Sequence, residues 1–200
     1  TNSKTVTVTE SLKILGGSVI ADWNPGNAVS MQMVENGVFE TYQYITVDGG
    51  GFKFVPSNAG WDGDLGASKT TAGMLNQAEE DNLTVDADGF YRVRINTNDL
   101  TYSVEATNWG IIGSATPGEW SEDTDMTLVS EAKGEYKLTA DITLTDGEIK
   151  FRANDDWAIN LGDSGADGSL ENGGDNIAVT AGTYHIELNL NSATGFSYTI

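Results

Sequence analysis

Phe52-Lys53-Phe54 is followed by Trp61 and then by Leu65-Gly66, and further along Ile149-Lys150-Phe151 is followed by Trp157 and then by Leu161-Gly162. The same order of residue types at spacings that differ by one residue marks an internal repeat, the feature that decides the architecture of a chain before any local pattern does. Working outward, a shift of 97 positions sets Ile14 on Ile111, Gly16 on Gly113, Trp23 on Trp120 and Gly37 on Gly134, along with Lys53 on Lys150 and Phe54 on Phe151. One residue drops out of the second copy before Trp157, so Trp61 meets Trp157 at a shift of 96, and small loop deletions follow. Asp81-Asn82 then meets Asp175-Asn176, Val85 meets Val179, and Gly89 and Tyr91 meet Gly182 and Tyr184. Thr101-Tyr102-Ser103-Val104 closes the first copy as Ser197-Tyr198-Thr199-Ile200 closes the second. The 200 residues are therefore two homologous units of about 95 residues each.

Within each unit the apolar period is two. Phe90 to Ile95 alternates, as do Ile149 to Arg152 and Tyr184 to Leu190, the signature of strands with one buried face. Asn36-Gly37, Asp48-Gly49, Asp88-Gly89 and Asp146-Gly147 supply hairpin turns between the runs. Only Thr71–Glu80 offers room for a short turn of helix. Many short strands per unit predict an all-β chain of two tandem antiparallel β-sandwiches. The expected division is residues 1–9 as the end of an upstream domain or a linker, 10–105 as the first sandwich and 106–200 as the second. Thr5-Val6-Thr7-Val8 stands before Leu12 to Gly16 as Tyr102-Ser103-Val104 stands before Trp109 to Gly113, so it reads as the closing strand of a preceding unit.

Charge excludes several functions. Thirty Asp and Glu against ten Lys and Arg leave a net charge of −20. Such a chain lacks the basic face that nucleic acid or anionic lipid requires. With no Cys and with His185 as the only histidine, thiolate and multi-histidine metal sites are ruled out.

Four of the five tryptophans fall in matched pairs, Trp23 with Trp120 and Trp61 with Trp157, each beside loop sequence. Trp109 takes the place of Leu12 and reads as a core or interface residue. The paired indoles admit two readings. One is structural packing at corners of the sandwich. The other is a set of exposed platforms that stack on the apolar face of a sugar ring. Lys53 and Lys150 are the only matched cations, each between two apolar neighbours, so their side chains are expected on the face opposite the core. Each precedes its second Trp by eight or seven residues, which brings an ammonium donor toward an indole. The alternative is a solvated surface lysine. Arg152 shares the face of Lys150, whereas its counterpart Val55 adds no donor. Asn82 and Asn176 form the third matched element. An Asn amide is either a donor and acceptor for a vicinal diol or a turn former bonded to its own backbone.

These residues, Ile-Leu/Ile-Gly, Trp, Lys-Phe, Trp, Leu-Gly, Asp-Asn, Gly-x-Tyr and Tyr-Ser/Thr-Val/Ile in that order, resemble the carbohydrate-binding repeats of SusE/SusF-type proteins. Those are surface lipoproteins of the starch utilisation system in Bacteroidetes-type bacteria, and the resemblance spans residues 12–200. It implies a β-sandwich of the immunoglobulin-like, carbohydrate-binding-module type in each repeat, without catalysis. It further implies starch or another α-glucan as ligand and a surface-exposed place at the outer membrane, with a glycan importer complex as a candidate partner. Carried over, Trp23, Lys53, Trp61 and Asn82 form a first site, and Trp120, Lys150, Arg152, Trp157 and Asn176 a second. The lipidated Cys and immunoglobulin-like domain that open such chains are not in this sequence, so a trimmed fragment is expected.

The rival readings rest on less. A glycoside hydrolase needs two carboxylates flanking one bond. Asp22 and Glu119, each just before a Trp, are the best candidates, but no second acid aligns with them. His185 stands beside Glu187 with no serine partner for a triad. Asp62-Gly63-Asp64, Asp86-Ala87-Asp88-Gly89 and Asp163 to Asp167 are the oxygen-rich loops where a structural calcium would sit, though none has the Asp-x-Asp-x-Asp-Gly spacing. No cofactor is otherwise expected. A module for another neutral glycan, such as laminarin or xylan, and a spacer or adhesion domain remain as alternatives.

Overall fold

The computed structural model describes residues 10–19, 22–132 and 135–200. The expected strand at Thr5–Val8 and the Gly134 end of one repeat match lie outside them. Contacts group the chain into two units, Thr1–Ala106 and Thr107–Ile200.

The first unit contains β1 (Lys13–Leu15), β2 (Val29–Ser30), β3 (Gln32–Glu35), β4 (Val38–Ile45), β5 (Lys53–Val55), β6 (Gly66–Ser68), β7 (Leu75–Asn76), β8 (Glu80–Asp81), β9 (Gly89–Asn96) and β10 (Thr101–Ala106). One layer is the sheet β2-β1-β5 and the other is β10-β9-β4-β3, with a small sheet β7-β6-β8 beside them. All of these pairings are antiparallel. The isolated bridge between Phe54 and Leu65 carries β5 toward β6.

The second unit contains β11 (Trp109–Ile112), β12 (Thr124–Asp125), β13 (Thr127–Ala132), β14 (Glu135–Leu144), β15 (Gly147–Ala153), β16 (Asn160–Gly162), β17 (Ser169–Asn172), β18 (Ile177–Val179), β19 (Gly182–Asn191) and β20 (Gly195–Thr199). Hydrogen bonds run through β12-β11-β15-β16-β17-β20-β19-β14-β13, and β18 adds to β15. The layers are those of the first unit, joined here through β17.

Alternation builds the core as the sequence predicts. In the first unit Ile14, Phe52, Phe54, Val93 and Ile95 are fully buried, and Ile111, Ile149, Phe151, Ile186 and Leu188 fill the same places in the second. Burying each such side chain contributes about 1.5–3 kcal/mol. Trp109 is buried, as a residue in the place of Leu12 should be. The Gly-x-Tyr pair also acquires a reason. Tyr91 donates from its hydroxyl to the Ala87 carbonyl and Tyr184 to that of Thr180, pinning the turn before each long strand. A side chain at Gly89 or Gly182 would meet those rings.

The segment Thr71–Glu80 departs from the expected turn of helix. It holds turns, β7 and the start of β8. Its apolar residues are few, and backbone pairing with β6 satisfies more groups than an isolated helical turn would. The only helix among the described residues is a single 3-10 turn at Pro25–Asn27.

Candidate functional site

Each matched tryptophan pair comes together. Trp23 and Trp61 stack with ring centroids 6.4 Å apart and planes 28° apart. Trp120 and Trp157 lie 6.0 Å apart at 39°. The four indoles are 37–45% exposed, values that exclude corner packing in the core.

The leading indole of each pair is aimed by the same backbone device. Asp22 (φ 55°) and Glu119 (φ 50°), the residues just before Trp23 and Trp120, are left-handed. Their carbonyls accept from the amides of Gly16 (2.6 Å) and Gly113 (3.0 Å). A Cβ on Gly16, at φ 146°, would strike the Gly51 carbonyl and the backbone of Phe52, so only glycine lets the loop approach β5 this closely. Of the two acids considered as catalytic candidates, Asp22 has a structural task. The Asp22 carboxylate accepts from the Asn24 amide (2.6 Å) and the Asn27 side chain (3.0 Å), fixing the turn that follows the indole.

The second indole of each pair is tied to the first by different means. Asn58 of the first unit donates from one amide nitrogen to the carbonyls of Pro25 (2.8 Å) and Ala28 (3.1 Å), clamping the Trp61 loop onto the Trp23 loop. The second unit uses Arg152. Its Nε and Nη2 bind Asp123 in the loop after Trp120, at 2.8 and 2.7 Å, with both side chains almost fully buried. Its guanidinium carbon lies 4.7 Å from the centroid of the Trp157 ring, where it supports the indole by a cation–π contact. Arg152 thus stands beside the second platform with its charge engaged by Asp123.

The matched lysines sit on β5 and β15, opposite the buried phenylalanines. Lys53 donates to Glu80 (2.7 Å) and Asp64 (3.3 Å) and is only 15% exposed. Burial would lower its pKa, but hydrogen bonds from its ammonium to Glu80 and Asp64 raise it overall. Lys150 donates to Asn160 Oδ1 (2.9 Å), and Asn160 Nδ2 donates in turn to the Trp157 carbonyl (2.7 Å). Burial lowers the Lys150 pKa, opposed by the charge of Asp175.

Asn82 and Asn176 face other partners. Asn82 donates to the Gly50 carbonyl (2.8 Å) and Asn176 to Glu148 Oε2 (2.9 Å). One amide N–H of each is therefore engaged in holding a loop, and the Oδ1 atoms have no donor among the described residues. Asp64 and Asn160 escaped the sequence reading, although they align at the same shift of 96 as Trp61 with Trp157. Asp123 and Asn58 carried no signal at all, since their partners are 29 and 33 or 30 residues away.

The acidic loop from Asp163 serves itself. The buried Asp163 carboxylate accepts from the amides of Asp167 (3.1 Å) and Gly168 (3.0 Å) and from the Tyr198 hydroxyl (2.9 Å). Among the described residues, no cluster of three or more His, Cys, Asp or Glu side chains is placed to hold a metal ion.

Each unit is thus an antiparallel β-sandwich that presents two tilted, solvent-facing indoles close to a lysine-bearing strand. Residues 108–196 match the family described as SusF/SusE starch specific CBMs. The crystal structure of SusF from Bacteroides thetaiotaomicron is similar at 17% identity and a TM-score of 0.44, over 98% of this chain and 50% of that one. This chain thus spans half the length of that SusF chain. No curated protein matches it.

Proposed function

We propose that each unit binds polysaccharide without catalysis, with starch or another α-glucan as the preferred ligand, and that it does so at the bacterial cell surface. The observation that carries this reading is the recurrence of one exposed indole pair in both units, built each time on a left-handed residue and a glycine contact. Indoles offer apolar faces to the C–H surface of a sugar while its hydroxyls stay hydrated. The rings of each pair are inclined to one another, by 28° and 39°, which suits a ligand chain that changes direction from one sugar to the next. The family of the second unit supports the same ligand. Such open platforms give dissociation constants of about 10 µM to 1 mM. Weak binding at two sites suits retention of a polymer before import, and an outer-membrane glycan importer is the partner it would serve.

Native gels cast with amylopectin, laminarin or xylan test the reading. Retardation in amylopectin is expected, and Trp23→Ala/Trp61→Ala together with Trp120→Ala/Trp157→Ala should abolish it while the folded signal in circular dichroism stays unchanged. Retardation only in laminarin or xylan would move the ligand to another glycan. No retardation in any gel would favour a spacer.

A further inference from the structure

The two sites match in their indoles and differ beneath them. Three residues after the second indole stands Asp64 in the first unit and Asn160 in the second. Beside the matched Asp81 and Asp175, the first unit has Glu80 where the second has Gly174. Both exchanges fall on the same lysine. Lys53 lies between two carboxylates, at 2.7 and 3.3 Å, with side chains 15% and 19% exposed. Lys150 meets one neutral amide oxygen at 2.9 Å. An ammonium has three N–H donors. Lys150 therefore keeps two of them free of protein partners among the described residues. Lys53 keeps one, and its charge is already balanced by two anions. The exchange is accommodated locally. A Cβ on Gly162 would meet the carbonyls of Gly174 and Asp175, and one on Gly66 the carbonyl of Asp81 together with the Glu80 side chain, so glycine is needed beside this loop in both units, with or without the carboxylate.

We propose that Asp64 and Asn160 set the rank of the two sites, the second site gripping a neutral sugar more tightly because the Lys150 ammonium is free to donate to ligand oxygens while that of Lys53 is engaged by Asp64 and Glu80. The proposal rests on the glycan reading above and names what distinguishes the sites within it. A charge-assisted hydrogen bond to a ligand oxygen in a part-buried setting corresponds to about a tenfold change in affinity. Asn160 does not touch the ligand in this account. It positions Lys150 and, through its bond to the Trp157 carbonyl, the indole loop.

Calorimetric titration with maltoheptaose tests it, with Trp23→Ala/Trp61→Ala isolating the second site and Trp120→Ala/Trp157→Ala the first. The second site should bind about tenfold more tightly than the first. Asn160→Asp should pull Lys150 into an ion pair and weaken the second site by a similar factor, with the melting temperature kept or raised. Asp64→Asn/Glu80→Gln should strengthen the first site several-fold, the opposite of what simple loss of a structural ion pair would do. Lys150→Met should cost the second site more than Lys53→Met costs the first, a comparison that stands even where a carboxylate variant does not fold. Equal sites, a tighter first site, or charge exchanges that leave both constants unchanged would overturn the ranking while leaving the glycan sites intact. An absence of heat with the unaltered protein, together with no retardation in any gel, would overturn the glycan reading and this inference with it.

Discussion

Arg152 is the residue on which the second platform turns. Its side chain is 6% exposed and that of Asp123 2%, so neither charge has water to fall back on. Removing one member of a buried pair leaves the other uncompensated, which costs more than the pair contributes when intact. Arg152→Met should therefore destabilise the second unit by about 3 kcal/mol in a denaturant titration. Arg152→Met/Asp123→Leu should recover most of that loss, because the stranded charge is gone. Sugar binding at the second site should stay weakened in both variants, since the guanidinium behind Trp157 is missing in each. A double variant as unstable as the single one would show that the ion pair does not set the stability. The first platform has no such charge at this position, because Val55 is buried there and Asn58 does the clamping through neutral carbonyls.

At the scale of elements, β20 is joined to the loop that follows β16 through Tyr198 and Asp163. Burial raises the tyrosine pKa to about 12, with the hydrogen bond to Asp163 and the charges of Asp163 and Asp167 adding to the effect. An unfolded tyrosine titrates near 10. The raised folded value means that the native state holds the proton longer. The contribution to stability is full below about pH 10 and disappears as the pH rises toward 12. Asp163 is shifted the other way. Burial would raise its pKa, but donors from Gly168, Tyr198 and Asp167 hold it below the usual carboxylate value, so its contribution is lost only in acid. Tyr198→Phe should flatten the stability of the second unit between about pH 10 and 12. An unchanged slope would place the alkaline sensitivity elsewhere. The strands of this link were legible in the sequence through alternation and the matched Tyr-Ser/Thr ends. The link itself was not, because 35 residues separate Asp163 from Tyr198 and no local pattern announces the pairing. The same limit hid Asn58 and Asp123. Thr71–Glu80 failed for a different reason, since a polar stretch with few apolar anchors has no period to read. The indoles and lysines were legible because duplication printed them twice, and Asp64 with Asn160 passed unseen because the duplication had changed them.

Across the whole molecule, stability and binding should respond to salt in different ways. The formal charge of −20 is spread over 200 residues, and most of the ten cations are engaged in ion pairs with carboxylates. The unpaired acids repel one another more in the compact state than in the expanded one. Raising the salt shortens the screening length from about 30 Å at 0.01 M to about 3 Å at 1 M, which removes most of that repulsion. The melting temperature should therefore climb across this range. Glycan binding should not follow it. An indole stacked on a sugar is a contact between neutral surfaces, and a hydrogen bond from Lys150 to a hydroxyl releases no counterions. The dissociation constant for maltoheptaose should stay within about twofold over the same range, in contrast with the steep log-linear loss that phosphate-binding surfaces show. Calorimetry at both salt concentrations, paired with thermal melts on the same samples, reads the two quantities together. Binding that weakened tenfold or more with salt would mean that charge carries recognition, and the ligand would then be an anionic glycan held against Lys150. Binding that stayed constant while the melting temperature rose would assign the acidic surface to solubility and leave recognition to the indoles and to hydrogen bonds with neutral hydroxyls.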